Sequence, residues 1–260
     1  MQQAVKNNIV FFHIPKTAGT TVTNYFFNVV GHENCFTGTP EAKQEFEIRQ
    51  GGGDYFAAHM DYQVYASIKR PHKAVTFLRD PKKRLLSTYY FLRSFQLPKD
   101  IAPNEGMAIA KSEGLHDWLK AILANKDKPS FNQLDNFYIR TLMGGKRALE
   151  THTIDSSTGS GDLLIAKDRI RRFHAVGIVE NFDASLGMIA KALELPAPSR
   201  ENLKALNTFA DNTQGKKLDR EPITDEISEL VEELTRGDQK LYEYAREISD
   251  DQITVFNLTS

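Results

Sequence analysis

Two short stretches of this 260-residue chain gather the residue types that hold an anion. The first is Lys16-Thr-Ala-Gly-Thr-Thr21. It follows the apolar run Ile9–Ile14 and Pro15, and precedes Val22, Tyr25, Phe26 and Val29. Those four residues have the i, i+3, i+4, i+7 spacing of a helix face. A strand, a small-residue turn and a helix start aim backbone N–H groups and the positive end of the helix dipole at one point. Lys16 adds a cation, and Thr20 and Thr21 add hydroxyls. A nucleotide P-loop reads GxxxxGK[ST]. Here Lys16 precedes Gly19 and no GK[ST] occurs in the chain, which disfavours ATP or GTP hydrolysis. A surface turn with an exposed lysine is the plainer alternative.

The second stretch is Ser67–Arg93, where eight Lys/Arg stand against Asp80 alone. It has the look of a seat for an anion; a solvated basic helix face is the alternative. Ala74–Leu78 reads as a strand that runs into Arg79-Asp80-Pro81. Asp80 suits an N-cap and Pro81 the first helical position, so a helix starts there, with Leu85, Tyr89 and Leu92 as its stripe. Arg79 at the strand's end can make charge-assisted hydrogen bonds to a phosphate. Ser87, about two turns into the helix, adds a hydroxyl. If Arg79 pairs with a carboxylate and Ser87 faces solvent, the stretch is only structural.

The elements that position these residues follow from periodicity. Tyr55–His59, after the Gly51–Gly53 turn, reads as a strand, and so does Ala175–Val179. Leu115–Ala124, Gln133–Leu142 (stopping at Gly144-Gly145) and Leu163–Phe173 read as helices. So do the stripe Phe182, Leu186, Ile189, Ala190, Leu193 and two final helices, Ile223–Leu234 and Gln239–Ile248. Residues 96–114 read as a polar excursion and 155–162 as a flexible loop. Strands separated by helices predict an α/β fold: a central, mostly parallel sheet flanked by helices on both faces.

Composition bounds the setting. Hydrophobic residues make up 40% and charged residues 26%, which excludes a disordered chain. Net charge is −1, with 17 Lys/Arg and 12 Asp/Glu in residues 1–130 and 16 and 22 in the remainder. That balance does not favour a nucleic-acid surface. No apolar run approaches the ~18 residues of a membrane span, and no signal-peptide pattern opens the chain. The single cysteine, Cys35, excludes an intrachain disulfide and a cysteine zinc site; a cytoplasmic setting is expected.

HIPKTAGTT, His13–Thr21, resembles the 5′-phosphosulfate loop of sulfotransferases that use 3′-phosphoadenosine-5′-phosphosulfate (PAPS). It is most like the carbohydrate-type branch related to heparan sulfate 2-O-sulfotransferase, whose loop commonly reads HIPKTGGTS. Ala18 and Thr21 depart from that pattern but keep a small residue and a hydroxyl. Ala74–Ser94 resembles the family's 3′-phosphate motif. Asp135–Gly145, Ala175–Leu193 and Leu241–Ile248 are similar to further family segments, so the resemblance spans residues 9–248.

The resemblance implies a single sulfotransferase domain over 1–260 of the P-loop-kinase-like type, with acceptor-side insertions at 94–130 and 151–162. It implies sulfuryl transfer from PAPS to a hydroxyl, on a carbohydrate or glycoconjugate, releasing PAP by in-line displacement without a metal. Lys16 then neutralises the leaving oxygen, and Lys16, Thr17, Ala18, Gly19, Thr20 and Thr21 cradle the phosphosulfate. Arg79 and Ser87 clamp the 3′-phosphate. A loop containing Asn207, Lys216 and Lys217 closes over the cofactor. His59, in DYFAAHMDY, resembles the family's "GH" segment, with Ala58 in place of Gly. It is the expected general base, since an imidazole titrates near 6.5. Asp61, Asn136 and Arg140 are expected at the acceptor, and His13 is expected to be a packed core residue. A homo-oligomer is compatible with all of this. The rival readings are a non-catalytic PAP- or nucleotide-binding protein on the same fold, and a P-loop-type kinase.

Overall fold

Apolar runs rich in Val, Ile, Phe and Ala are the signature of strands buried on both faces, and four of the five described strands have that character, one of them behind a leading Lys73. In the computed structural model, residues 6–97, 100–126, 128, 130–131, 134–145, 153–199 and 218–258 are described. Strand β1 (Ile9–Phe12) is wholly buried. It lies between β3 (Tyr55–Ala58) and β4 (Lys73–Leu78). Outside them are β2 (Cys35–Thr37) on β3 and β5 (Ala175–Ile178) on β4. Every pairing is parallel and the order is β2-β3-β1-β4-β5. Phe12 is in register with Ala58 on one side and Thr76 on the other. Thr76 Oγ1 also donates to the Phe12 carbonyl at 2.9 Å, deep in the sheet. The carboxyl ends of β1 and β3 are therefore level, and β1 is where the chain order reverses. In open parallel sheets that position is the one that receives ligands.

The chain divides into two compact units. One comprises Met1–Arg79, Lys167–Leu206 and Tyr242–Ser260; the other comprises Asp80–Ala166 and Asn207–Leu241. The first holds the sheet with α1 (Gly19–Val30), α2 (Pro40–Ile48) and α3 (Tyr62–Ala66). Its core joins Phe11, Tyr25, Phe26, Tyr55 and Phe77 to Leu186 and Ile189. The second contains α4 (Pro81–Ser94), α5 (Glu105–Ser112), α6 (Leu115–Ala124) and α7 (Phe137–Met143). Leu85, Tyr89, Trp118, Leu119, Ile122 and Leu234 form its core. The remaining described helices are α8 (Gly161–Ile170), α9 (Phe182–Ala192) and α10 (Asp225–Leu258).

Three elements differ from expectation. The excursion over 96–114 contains α5, which Asn104 starts by accepting from the Met107 N–H and which buries Ala110. Helix α7 begins at Phe137 because Asn136 is left-handed, with φ 44. The two final helices are one, α10, which runs through Gly237. A lone glycine weakens a helix by only about 1 kcal/mol relative to alanine, so it need not end one. Gly237 is there for packing: a Cβ on it would meet Ile139 Cδ1 at 2.8 Å and Asn136 Oδ1 at 2.9 Å. β2, α2 and α3 had no counterpart in the sequence reading. Helix α2 nonetheless carries a capping signal, with Thr39 Oγ1 accepting from the Ala42 N–H and Pro40 at the first position.

Candidate active site

The loop after β1 is built around two left-handed residues that are not glycine, Lys16 (φ 70) and Ala18 (φ 62). Each such residue costs roughly 1–3 kcal/mol, a strain that concentrates at ligand clamps. Thr17 between them is fully buried, and its Oγ1 donates to the Ile14 carbonyl at 2.8 Å, closing the turn. Helix α1 then starts at Gly19. Its N-cap, Ala18, has no side-chain oxygen to accept the N–H groups of the first turn, and no acidic residue lies in that turn. Thr20 is exposed and Thr21 half-buried at the same helix end. A twelve-residue helix with an uncapped positive end is suited to an anion.

The cations point the same way. Arg79 follows the last residue of β4 and is half-buried. Burial, and then the nearby Arg79 guanidinium, lower Lys16 to about 8. Main-chain N–H groups, an ammonium and a guanidinium form a donor set that fits a phosphate or sulfate ester.

His59 stands one residue past β3, with its ring open to solvent. Partial burial holds its pKa below the ordinary imidazole value, so it is neutral and able to accept a proton at neutral pH. Its neighbour is His13, which is packed as expected but lies just past the strand and beside the site. His13 follows β1, donates its backbone N–H to the Ala58 carbonyl at 3.3 Å, and stacks on Phe11 with ring centroids 5.0 Å apart. The His13 and His59 rings lie 4.4 Å apart at an interplanar angle of 59°. Burial, and then the proximity of His59, bring His13 down to about 3. The level ends of β1 and β3 were the signal: a histidine one residue past each strand must meet the other.

The first unit thus brings together Lys16–Thr21, His59 and Arg79. Asp61 is also there, but its Oδ1 caps α3, accepting from the N–H groups of Gln63 (2.7 Å) and Val64 (3.1 Å). Ser87 is half-buried on α4 and belongs to the second unit. So do Asn136 and Arg140, the residues expected at the acceptor. Arg140 is 1% exposed, pairs with Asp135 at 2.6 Å and donates through Nε to the Asp135 carbonyl at 2.9 Å. Asn136 is buried; its Oδ1 accepts from the N–H groups of Gly237 (2.8 Å) and Asp238 (3.2 Å). Both side chains are committed to holding α7. Asn207, Lys216 and Lys217 lie outside the described residues. Among the described residues no group of three His, Cys, Asp or Glu could hold a metal ion, and no helix is long and apolar enough to cross a membrane.

A family model described as the sulfotransferase family matches residues 3–257. No curated protein sequence matches the chain. Among solved structures, mouse sulfotransferase SULT7A1 complexed with PAP is similar, with a TM-score of 0.48 and 13% identity over 99% of this chain and 91% of that one.

Proposed function

The chain belongs to the sulfotransferase family, and from that premise we propose that it moves a sulfuryl group from PAPS to a hydroxyl of a carbohydrate or glycoconjugate, with His59 as general base. Membership of the family makes it a PAPS-dependent transferase; the acceptor class and the residue roles are the proposal. When bound, PAPS supplies a sulfuryl group already activated for transfer. The chain has to hold the anion, neutralise the leaving oxygen and remove one proton.

The observation that carries this reading is the uncapped start of α1, flanked by Lys16 and Arg79 in the same unit as a neutral, solvent-open His59. The N–H groups of Gly19–Thr21 and the two hydroxyls hold the 5′ group, and Lys16 supplies positive charge to the leaving oxygen. Arg79 takes the 3′-phosphate. The acceptor hydroxyl gives its proton to a ring nitrogen of His59. Residues 1–260 act as one catalytic domain in this proposal, with 94–130 and 151–162 on the acceptor side. The thiol of Cys35 is free, which suits a cytoplasmic setting.

The test is transfer of labelled sulfate from PAPS to a panel of soluble glycans and, in parallel, to simple phenols and alcohols. Labelled glycan, lost in His59→Ala, supports the reading. Labelling confined to the phenols or alcohols would reject the carbohydrate assignment, and full activity in His59→Ala would reject the base.

A further inference from the structure

We propose that His13 is a positioning residue, whose ring fixes the His59 imidazole against the start of α1. This rests on the reading of His59 as the base. Three contacts converge on the His13 ring. Phe11 stacks beneath it at 5.0 Å and only 14° from parallel, which fixes its plane. His59 packs on it at 4.4 Å. Gly19, the first residue of α1, lies so close that an added Cβ would sit 1.6 Å from His13 Nε2. One ring therefore spans from the base to the helix start that receives the anion, and Gly19 is the residue that lets it do so.

The arrangement also matters electrostatically. Burial first, and the proximity of His59 second, hold His13 down to about 3, so it is uncharged at neutral pH. An uncharged wall can hold His59 in place without opposing the proton that His59 accepts. The same wall covers part of the His59 ring, and partial burial is what lowers His59. Removing the ring should hydrate His59 and let its titration move to higher pH.

The experiment is a histidine-ring NMR titration of the full chain, with His59→Gln assigning the His59 resonance. In wild type, the ring protons of His13 and His59 show mutual Overhauser contacts, and His59 titrates below the ordinary imidazole value. In His13→Ala, His59 titrates at higher pH; His13→Phe, which keeps a flat wall, restores the lower value. Sulfate transfer follows, with kcat falling by as much as about 100-fold in His13→Ala and recovering in His13→Phe, while PAP affinity is unchanged. A folded His13→Ala with wild-type His59 titration overturns the proposal, as does a loss of PAP affinity in step with kcat. If His13→Ala does not fold, absence of the ring–ring contacts in wild type overturns it and their presence supports it. Full sulfate transfer by His59→Gln would instead remove the base assignment, a separate failure read from a separate variant.

Discussion

Lys16 and Arg79 are close enough for each charge to raise the cost of the other, and Lys16 settles at about 8. An anion bound between them relieves that cost, so binding favours the protonated lysine. As pH rises through about 8 the free protein loses the Lys16 charge, and PAP affinity should fall over that window. In Lys16→Ala the affinity at pH 7 should be lower and this alkaline decline absent, as read by calorimetry across pH 6.5 to 9.5. A decline that persists in Lys16→Ala would assign it to another group. For His59→Ala, turnover should drop by about 10²-fold or more while PAP binding stays nearly intact. Lys16 and Arg79 stood out in the sequence by type and by their places after strands, and His59 through the family resemblance; their roles are the proposal. The structural partners of Asn136 and Arg140 were not legible, because a polar side chain in a motif looks the same whether it meets a ligand or, as here, holds Asp135 or the N–H groups of Gly237 and Asp238.

At the scale of elements, α1 and α4 were legible because both ends of the argument lie close together in sequence. Val22, Tyr25, Phe26 and Val29 are all buried, and Asp80 Oδ1 accepts from the Lys83 N–H as an N-cap should. The fate of α7 was not legible, since its support comes from a residue a hundred positions away. Asp238 on α10 accepts from the N–H groups of Tyr138 (2.9 Å) and Ile139 (3.0 Å), capping α7 in place of a local side chain. Burial pushes the Asp238 carboxyl up to about 6, against the pull of those amides and of Arg84. Asp238→Ala strands two buried donors and should cost about 1–3 kcal/mol per donor, seen as a lower urea midpoint with unchanged slope. An unchanged midpoint would mean that the cap adds nothing. Gly19→Ala belongs to the same scale: its Cβ cannot coexist with the His13 ring as placed, so the variant should fold but bind PAP weakly. Wild-type PAP affinity in that variant would show that the loop tolerates the displacement.

Across the whole molecule, the parallel sheet was readable from four hydrophobic runs, whereas the division into two units was not. The units are discontinuous: the chain leaves the first after Arg79 and returns at Lys167. Local patterning carries no record of which distant segments will share a core. A ligand that binds the folded chain and not the unfolded one should stabilise the fold. PAP at a hundredfold excess over Kd contributes about 2.7 kcal/mol, which for a chain of this size is a rise in Tm of about 5–10 °C. ATP with magnesium should give much less.

The central claim is that the uncapped start of α1, together with Lys16 and Arg79, binds this nucleotide, and calorimetric titration with PAP tests it most directly. Wild type should bind PAP in a one-to-one complex, ATP should bind weakly, and Arg79→Ala should lose most of the PAP affinity while keeping its fold. A folded wild-type protein that does not bind PAP, or an Arg79→Ala variant that binds it as wild type does, would contradict the account.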